Sequence, residues 1–278
     1  MTALTPNQSS ATSRPAPSAI ILAAGMGKRM QSDLPKVLHP VGSPARPMVQ
    51  AVVDACRATG CRRVVLVVGY KQELVRDAMR GQSDVEFAVQ PEQLGTGHAV
   101  RCAEPLFTTE RSAPGHDVFV LAGDGPLIRA QTLKRLLDRH RTASAAATLA
   151  TSRIPDPTGY GRIVRNARNE FTAIVEQKDC TPEQLRINEV NPSYYCFDTL
   201  AMFSTLAAVK RNQASGEYFI TDVPGMLLAA GRRVEVIDAV PPEDILSINT
   251  PEQLAEVDRI FRSRPSSVGL SVGSGATL

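Results

Sequence analysis

The sequence predicts an α/β protein with a mainly parallel sheet, covered by helices on both faces, and a smaller antiparallel insertion. Three observations predict it. Apolar runs of strand length alternate with segments of helical period through the first half of the chain. After Ala145 that rhythm gives way to short strand candidates separated by turn-rich pieces. The first apolar run, Ile20-Ile-Leu-Ala-Ala24, passes straight into a loop of glycines and cations, Gly25-Met-Gly-Lys-Arg29.

The elements follow in order. Ala19–Ala23 is the first strand, and Met48, Val49, Val52, Val53 and Cys56 share one face of a helix. Val64–Val68 is a strand ended by Gly69, with a short helix around Glu73–Met79. Val85–Val89 is a third strand, His98–Leu106 a helix, Val118–Leu121 a fourth strand and Gln131–Arg141 a helix. In the insertion the strand candidates are Ala146–Thr151, Arg162–Val164, Thr172–Glu176 and Ser193–Phe197. Helices return at Thr199–Arg211 and Pro224–Ala230, followed by a strand at Val234–Ile237. Thr250-Pro-Glu-Gln253 reads as a helix start, with Thr250 as N-cap, Pro251 in the first turn and Gln253 closing a capping box. Residues 1–17 and 263–278, rich in Ser, Thr, Pro, Gly and Ala, read as disordered tails around a folded domain spanning 18–262.

Composition narrows the function classes. At 278 residues the chain can bury a sizeable core as one large domain or two small ones. A formal charge of +3, with Lys and Arg dispersed and no basic block interleaved with aromatics, argues against a nucleic-acid partner. Cys56, Cys61, Cys102, Cys180 and Cys196 show no metal-ligand spacing and read as free thiols of a reducing compartment. No secretory h-region and no apolar run approaching 18 residues is present, so the expectation is a soluble, cytoplasmic protein with no membrane partner.

In the opening loop, Ala23, Ala24, Gly25 and Gly27 remove side-chain bulk, so main-chain amides can approach an anion or a base edge. Lys28, Arg29 and Lys36 add charge, which favours a phosphate site over a plain strand-to-helix turn. It is neither of two better-known phosphate loops. A P-loop would need glycine at Leu22 and Ser or Thr at Arg29, and a dinucleotide fingerprint would need glycine at Met30. In an open α/β sheet, ligands bind beyond the carboxyl ends of the parallel strands. Gln90-Pro-Glu-Gln-Leu-Gly-Thr-Gly-His98 and Ala122-Gly-Asp-Gly-Pro126 occupy that position too, so the three loops should converge on one crevice. Gln90 and Gln93 suit a base edge, and Gly95-Thr96-Gly97 reads as a second close-approach loop or a helix-capping turn. Asp124 reads as a Mg²⁺ ligand or a turn residue. His39, His98, His116 and His140 show no paired spacing and are read as structural.

Leu22-Ala-Ala-Gly-Met-Gly-Lys-Arg-Met30, Leu34-Pro-Lys36, Glu92-Gln-Leu-Gly-Thr-Gly-His-Ala99, Gly123-Asp124, Asp156-Pro-Thr-Gly-Tyr-Gly-Arg162 and Ile174-Val-Glu176 occur in this order. Together with Gly216-Glu-Tyr-Phe-Ile-Thr-Asp222 and Asn249 they resemble the pyrophosphorylase domain of bacterial bifunctional N-acetylglucosamine-1-phosphate uridyltransferases, over residues 18–262. The resemblance implies a Rossmann-like three-layer nucleotidyltransferase fold and transfer of a uridylyl group from UTP to a sugar-1-phosphate, releasing pyrophosphate. Such enzymes make nucleotide sugar for peptidoglycan precursors. By position, the resemblance implies that Leu22, Ala23, Ala24, Gly25, Gln90, Gly95 and Thr96 bind the nucleotide. It likewise implies that Arg29 and Lys36 are catalytic, that Asp124 and Asn249 hold Mg²⁺, and that Gly161, Glu176 and Asn191 line the sugar site.

The chain departs from that pattern on the sugar side. Ala122 stands where the family usually has Tyr, and Asn191-Pro192-Ser193 where it has Asn-Thr-Gly. A nucleotidyltransferase for another sugar or nucleotide, of the UDP-glucose or dTDP-glucose type, and a non-catalytic nucleotide-sugar sensor are the competing readings. After Arg264 there is no hexapeptide rhythm, so neither acetyltransferase activity nor the trimer-forming region of the bifunctional enzymes is expected, and the oligomeric state is left open.

Overall fold

The first strand, Ser18–Leu22, is buried from Ser18 to Ile21, as its apolar run from Ala19 requires of a central parallel strand. The computed structural model describes residues 14–112 and 114–264. Its elements are β1 (Ser18–Leu22), β2 (Pro40–Val41), β3 (Arg46–Pro47), α1 (Met48–Ala58), β4 (Arg63–Val68), α2 (Gln72–Ala78), β5 (Val85–Val89), α3 (Thr96–Ala103), β6 (Asp117–Ala122) and α4 (Ala130–Ala143). There follow β7 (Ala147–Arg153), β8 (Gly161–Arg165), β9 (Phe171–Val175), α5 (Pro182–Leu185), β10 (Glu189–Asp198), α6 (Thr199–Leu206), α7 (Asp222–Ala229), β11 (Val234–Asp238) and α8 (Pro251–Ser263).

The main sheet runs β11-β7-β10-β6-β1-β4-β5. β1 pairs in parallel with β4 and β6, β4 with β5, and β11 with β7. β10 lies antiparallel between β6 and β7, and its first half also carries the antiparallel pair β8–β9. Successive side chains of β1 alternate between two cores. Ala19 and Ile21 face α1 and α4, while Ile20 packs with α3 and α6 residues such as Val100 and Met202. This is the three-layer arrangement expected from sequence.

Several boundaries differ from expectation for local reasons. β10 begins at Glu189 and not at Ser193, because Pro192 and Ser193 fall at an irregularity between Val190 and Tyr194 where the pairing with β7 shifts register. The helix expected to reach Arg211 stops at Leu206, where the chain tightens into Ala208-to-Thr205 and Val209-to-Leu206 turns. α7 starts at Asp222, so Pro224 falls in the first turn, where a missing N–H costs nothing. The capping box foreseen at Thr250 is half-formed: the Thr250 hydroxyl accepts from Gln253 N, but the Gln253 carboxamide accepts from Asn249 N instead of Thr250 N. A complete capping box closes the start of α5, between Thr181 and Gln184.

The expected disordered tails lie mostly outside the described residues. Of them, Arg14 pairs with the buried Asp117, the Pro15 carbonyl accepts from Arg141, and Ser263 ends α8. Among the described residues no helix is long and apolar enough to cross a membrane.

Candidate active site

The carboxyl ends of β1, β4 and β6 set the floor of one crevice. Hydrogen bonds join its loops: Gly123 N donates to Leu22 O at 2.9 Å, Gln93 Nε2 to Ala24 O at 3.1 Å and Tyr70 N to Ala24 O at 3.3 Å. The opening loop, the Gln90–His98 segment and Ala122–Pro126 therefore do come together. Gln93 Nε2 is thereby an anchor of the opening loop.

Within the opening loop the residues divide by what surrounds them. Ala23 and Ala24 are buried in opposite cores, so only their main chain faces the crevice. Gly27 has φ +64°, and a Cβ there would sit 2.7 Å from Lys36 Cβ, so packing alone demands glycine. Gly25 is different: a Cβ there would meet nothing within 4 Å. Among the described residues the amides of Gly25, Met26 and Gly27 donate to no partner. These unpartnered main-chain donors beside Lys28 and Arg29 form a ready cradle for an anion.

Four side chains meet at the mouth of this loop. Lys36 Nζ is bonded to Asp124 Oδ2 and lies 3.0 Å from Asn249 Oδ1. Arg29 Nη2 donates to the same Asn249 oxygen at 2.9 Å. Asn249 arrives here because Ile248 N donates to Asp124 O at 3.1 Å, keying the chain before α8 to the end of β6. A carboxylate oxygen and an amide oxygen thus converge on one cation, the ammonium of Lys36. That donor set suits Mg²⁺, which takes one or two protein oxygens and completes its shell with phosphate and water. Among the described residues no group of three or more His, Cys, Asp or Glu side chains could hold a metal, so a site here rests on Asp124 and Asn249.

In the Gln90–His98 segment, Gln90 is 4% exposed and directs Nε2 at Gly95 O, 3.1 Å away, with His98 Nδ1 at 3.2 Å. Its Oε1 is the remaining acceptor. Gly95 has φ +94°, and a Cβ there would stand 2.6 Å from Tyr218 O. The Thr96 hydroxyl accepts from Ile220 N at 3.1 Å. Both residues therefore have a packing duty toward the Glu217–Ile220 segment, whose Tyr218 N donates to Leu94 O at 2.8 Å. The close approach foreseen at Gly95-Thr96-Gly97 is made by the protein's own main chain.

In the antiparallel insertion, Gly161 opens β8 and Glu176 follows β9, so the antiparallel pair brings them together. A Cβ at Gly161 would lie 3.7 Å from Glu176 Oε2. Burial raises the Glu176 carboxyl above the usual glutamate range, opposed by the Thr221 hydroxyl that donates to Oε1 at 3.2 Å. Thr221 was not foreseen from sequence; its only signal is membership of the Gly216–Asp222 motif. Asn191 is 5% exposed, with Oδ1 accepting Ser193 N at 3.1 Å and Nδ2 donating to Tyr195 Oη at 2.6 Å. It holds Ser193 in a left-handed conformation, φ +63°.

Residues 18–240 match the family described as nucleotidyl transferase. The chain belongs to the nucleotidyl transferase family. Relatives named "Bifunctional protein GlmU" include one from Burkholderia lata, 48% identical over 245 residues (87% of this chain, 51% of the relative). Another, from Brevibacillus brevis, is 45% identical over 246 residues (88% and 52%). A third, from Clostridium acetobutylicum, is 41% identical over 256 residues (92% and 54%). The chain spans about half the length of the curated relatives it matches. Among solved structures, a putative glucose-1-phosphate thymidylyltransferase from Bacillus anthracis superimposes with a TM-score of 0.74 at 19% identity, covering 90% of this chain and 97% of its own. A UDP-glucose pyrophosphorylase complexed with UDP-glucose gives 0.71 at 19% identity, covering 89% and 98%. These two likenesses show the nucleotidyltransferase fold.

Proposed function

We propose that this chain transfers the uridylyl group of UTP to N-acetylglucosamine-1-phosphate, in a Mg²⁺-dependent reaction giving UDP-N-acetylglucosamine and pyrophosphate. The observation that carries the reading is the convergence of Arg29, Lys36, Asp124 and Asn249 at the mouth of a loop whose Gly25 faces open space. The family, and the name shared by relatives at 41–48% identity, support it.

A phosphate oxygen of the sugar-1-phosphate attacks the α-phosphorus of UTP. A new P–O bond forms while the bond from the α-phosphorus to its bridging oxygen breaks, and that electron pair leaves with pyrophosphate. The attacking oxygen is already ionised, so no side chain has to act as nucleophile or base. What the protein supplies is in-line positioning and fixed positive charge.

In this reading the main chain of Leu22–Gly25 holds the nucleotide, Gln90 Oε1 accepts from the uracil N–H, and Gly95 and Thr96 shape the pocket beside it. Arg29 and Lys36 offset the charge that builds on the transferring phosphoryl group. Mg²⁺ held by Asp124 and Asn249 would supply Lewis-acid stabilisation of the phosphate oxygens. Gly161 leaves room for the sugar, Glu176 accepts from its polar groups, and Asn191 fixes the strand irregularity behind it.

A different sugar is the second reading. It is favoured by Ala122 at the crevice and by an Asn191 side chain engaged by the protein at both ends. Pyrophosphate release from UTP, dTTP and CTP across a panel that includes N-acetylglucosamine-1-phosphate and glucose-1-phosphate tests both. Turnover is expected with UTP and N-acetylglucosamine-1-phosphate. Silence with every sugar while UTP still binds overturns the catalytic reading in favour of a nucleotide-sugar sensor.

A further inference from the structure

We propose that Ser247 is a positioning residue that holds the Asn249 carboxamide with its oxygen turned to the cation site. The inference rests on reading Asp124 and Asn249 as that site.

The orientation of the Asn249 amide is fixed by what surrounds it. One end receives two cationic donors, Arg29 Nη2 at 2.9 Å and Lys36 Nζ at 3.0 Å, so that end must be the carbonyl oxygen. Nδ2 at the other end needs an acceptor, and Ser247 Oγ provides it at 3.2 Å. The backbone is pinned separately, by Asn249 N donating to Gln253 Oε1 at 2.8 Å. Gln253 therefore sets where Asn249 sits, and Ser247 sets which way its amide faces.

Reversing the amide would put two N–H donors against Arg29 and Lys36 and turn the carbonyl oxygen, in place of a donor, toward Ser247 Oγ.

The test measures Mn²⁺ binding to the full chain by the EPR signal of free Mn²⁺, together with the Mg²⁺ concentration giving half-maximal pyrophosphate release. Ser247→Ala should weaken Mn²⁺ binding by about 10-fold or more, the usual scale for losing a group that orients a metal ligand, and raise the half-maximal Mg²⁺ concentration in parallel. Ser247→Thr, which keeps the hydroxyl, should stay near wild type. The deciding arm is an Asn249→Asp background, because a carboxylate presents an oxygen whichever way it faces. There, Ser247→Ala should cost no further Mn²⁺ affinity. An equal loss in both backgrounds would show a merely structural serine and overturn the proposal, as would Ser247→Ala binding Mn²⁺ within about twofold of wild type. Wild-type protein that binds no Mn²⁺ would overturn the cation site itself, an outcome visible before any variant is made.

Discussion

The Lys36 ammonium is bonded to the Asp124 carboxylate and also reaches the Asn249 carbonyl, so it sits between the two oxygens proposed for the metal. In the proposed reading an ammonium and a divalent cation compete for the same carboxylate, so a bound metal would displace the lysine from it. Lys36→Met should therefore lower turnover by about 100-fold or more, the scale of losing one preorganised charge at a transition state. Mn²⁺ affinity in the absence of nucleotide should hold or tighten, because a competitor has gone. Pyrophosphate release and Mn²⁺ titration on the same preparation check the two halves.

Gly25 and Gly95 should respond oppositely to alanine. At Gly25 the new methyl enters open space, so Gly25→Ala should leave folding stability within about 0.5 kcal/mol and raise KM for UTP. At Gly95 the methyl meets Tyr218 O and the backbone is left-handed, so Gly95→Ala should cost roughly 2–4 kcal/mol. Urea melts and a UTP saturation curve for each variant separate them.

Glu176 gives a pH signature. Burial raises its carboxyl, so the folded state disfavours the charged form. Below the usual glutamate pKa of about 4 the group is protonated in both folded and unfolded chains and costs nothing. As pH rises from there through the raised folded value, stability is lost, and above that value the loss is constant. Glu176→Gln should therefore be more stable than wild type at pH 7, with the gain vanishing near pH 4. The same variant should raise KM for the sugar-1-phosphate. Denaturant melts at the two pH values would expose a wrong sign.

Ser193 holds a left-handed backbone without being glycine. Ser193→Gly should stabilise the fold by about 0.5 kcal/mol, relief of strain being partly offset by a freer unfolded chain. The hydrogen bond from residue 193 N to Asn191 Oδ1 survives, so thermal melts should read the backbone effect alone.

The layered sheet was legible because apolar runs of strand length alternate with 3.6-residue helical patterns along the first half of the chain. The start of β10 was not, since Asn191-Pro192-Ser193 reads locally as a break and only pairing with β6, β7 and β8 carries the strand across it. The convergence of the three loops followed from topology. What each glycine does there did not: the sequence cannot distinguish Gly25, open to a ligand, from Gly95, pressed against Tyr218. That Gln93 anchors the opening loop was not legible either, because its partner, the Ala24 carbonyl, is distant in the chain. Ser247 carried no local signal, and Thr221 none beyond its place in the Gly216–Asp222 motif, since each acts through one hydroxyl on a side chain that the fold brings to it.

Lys36 and Asn249 are 213 residues apart in the chain, and the helix after Asn249 is clipped back onto the segment after Lys36 by Asp258, which accepts from Gly42 N at 2.7 Å. During synthesis, then, most of the sheet can form while the catalytic assembly is still incomplete. The nascent chain would carry a nucleotide cradle with Lys36 and Asp124 but no closing amide until α8 leaves the ribosome. In the proposed reading, competence for transfer therefore waits on the segment around Asn249 and α8, and a truncation before Asn249 would leave a cradle without the amide of its cation site.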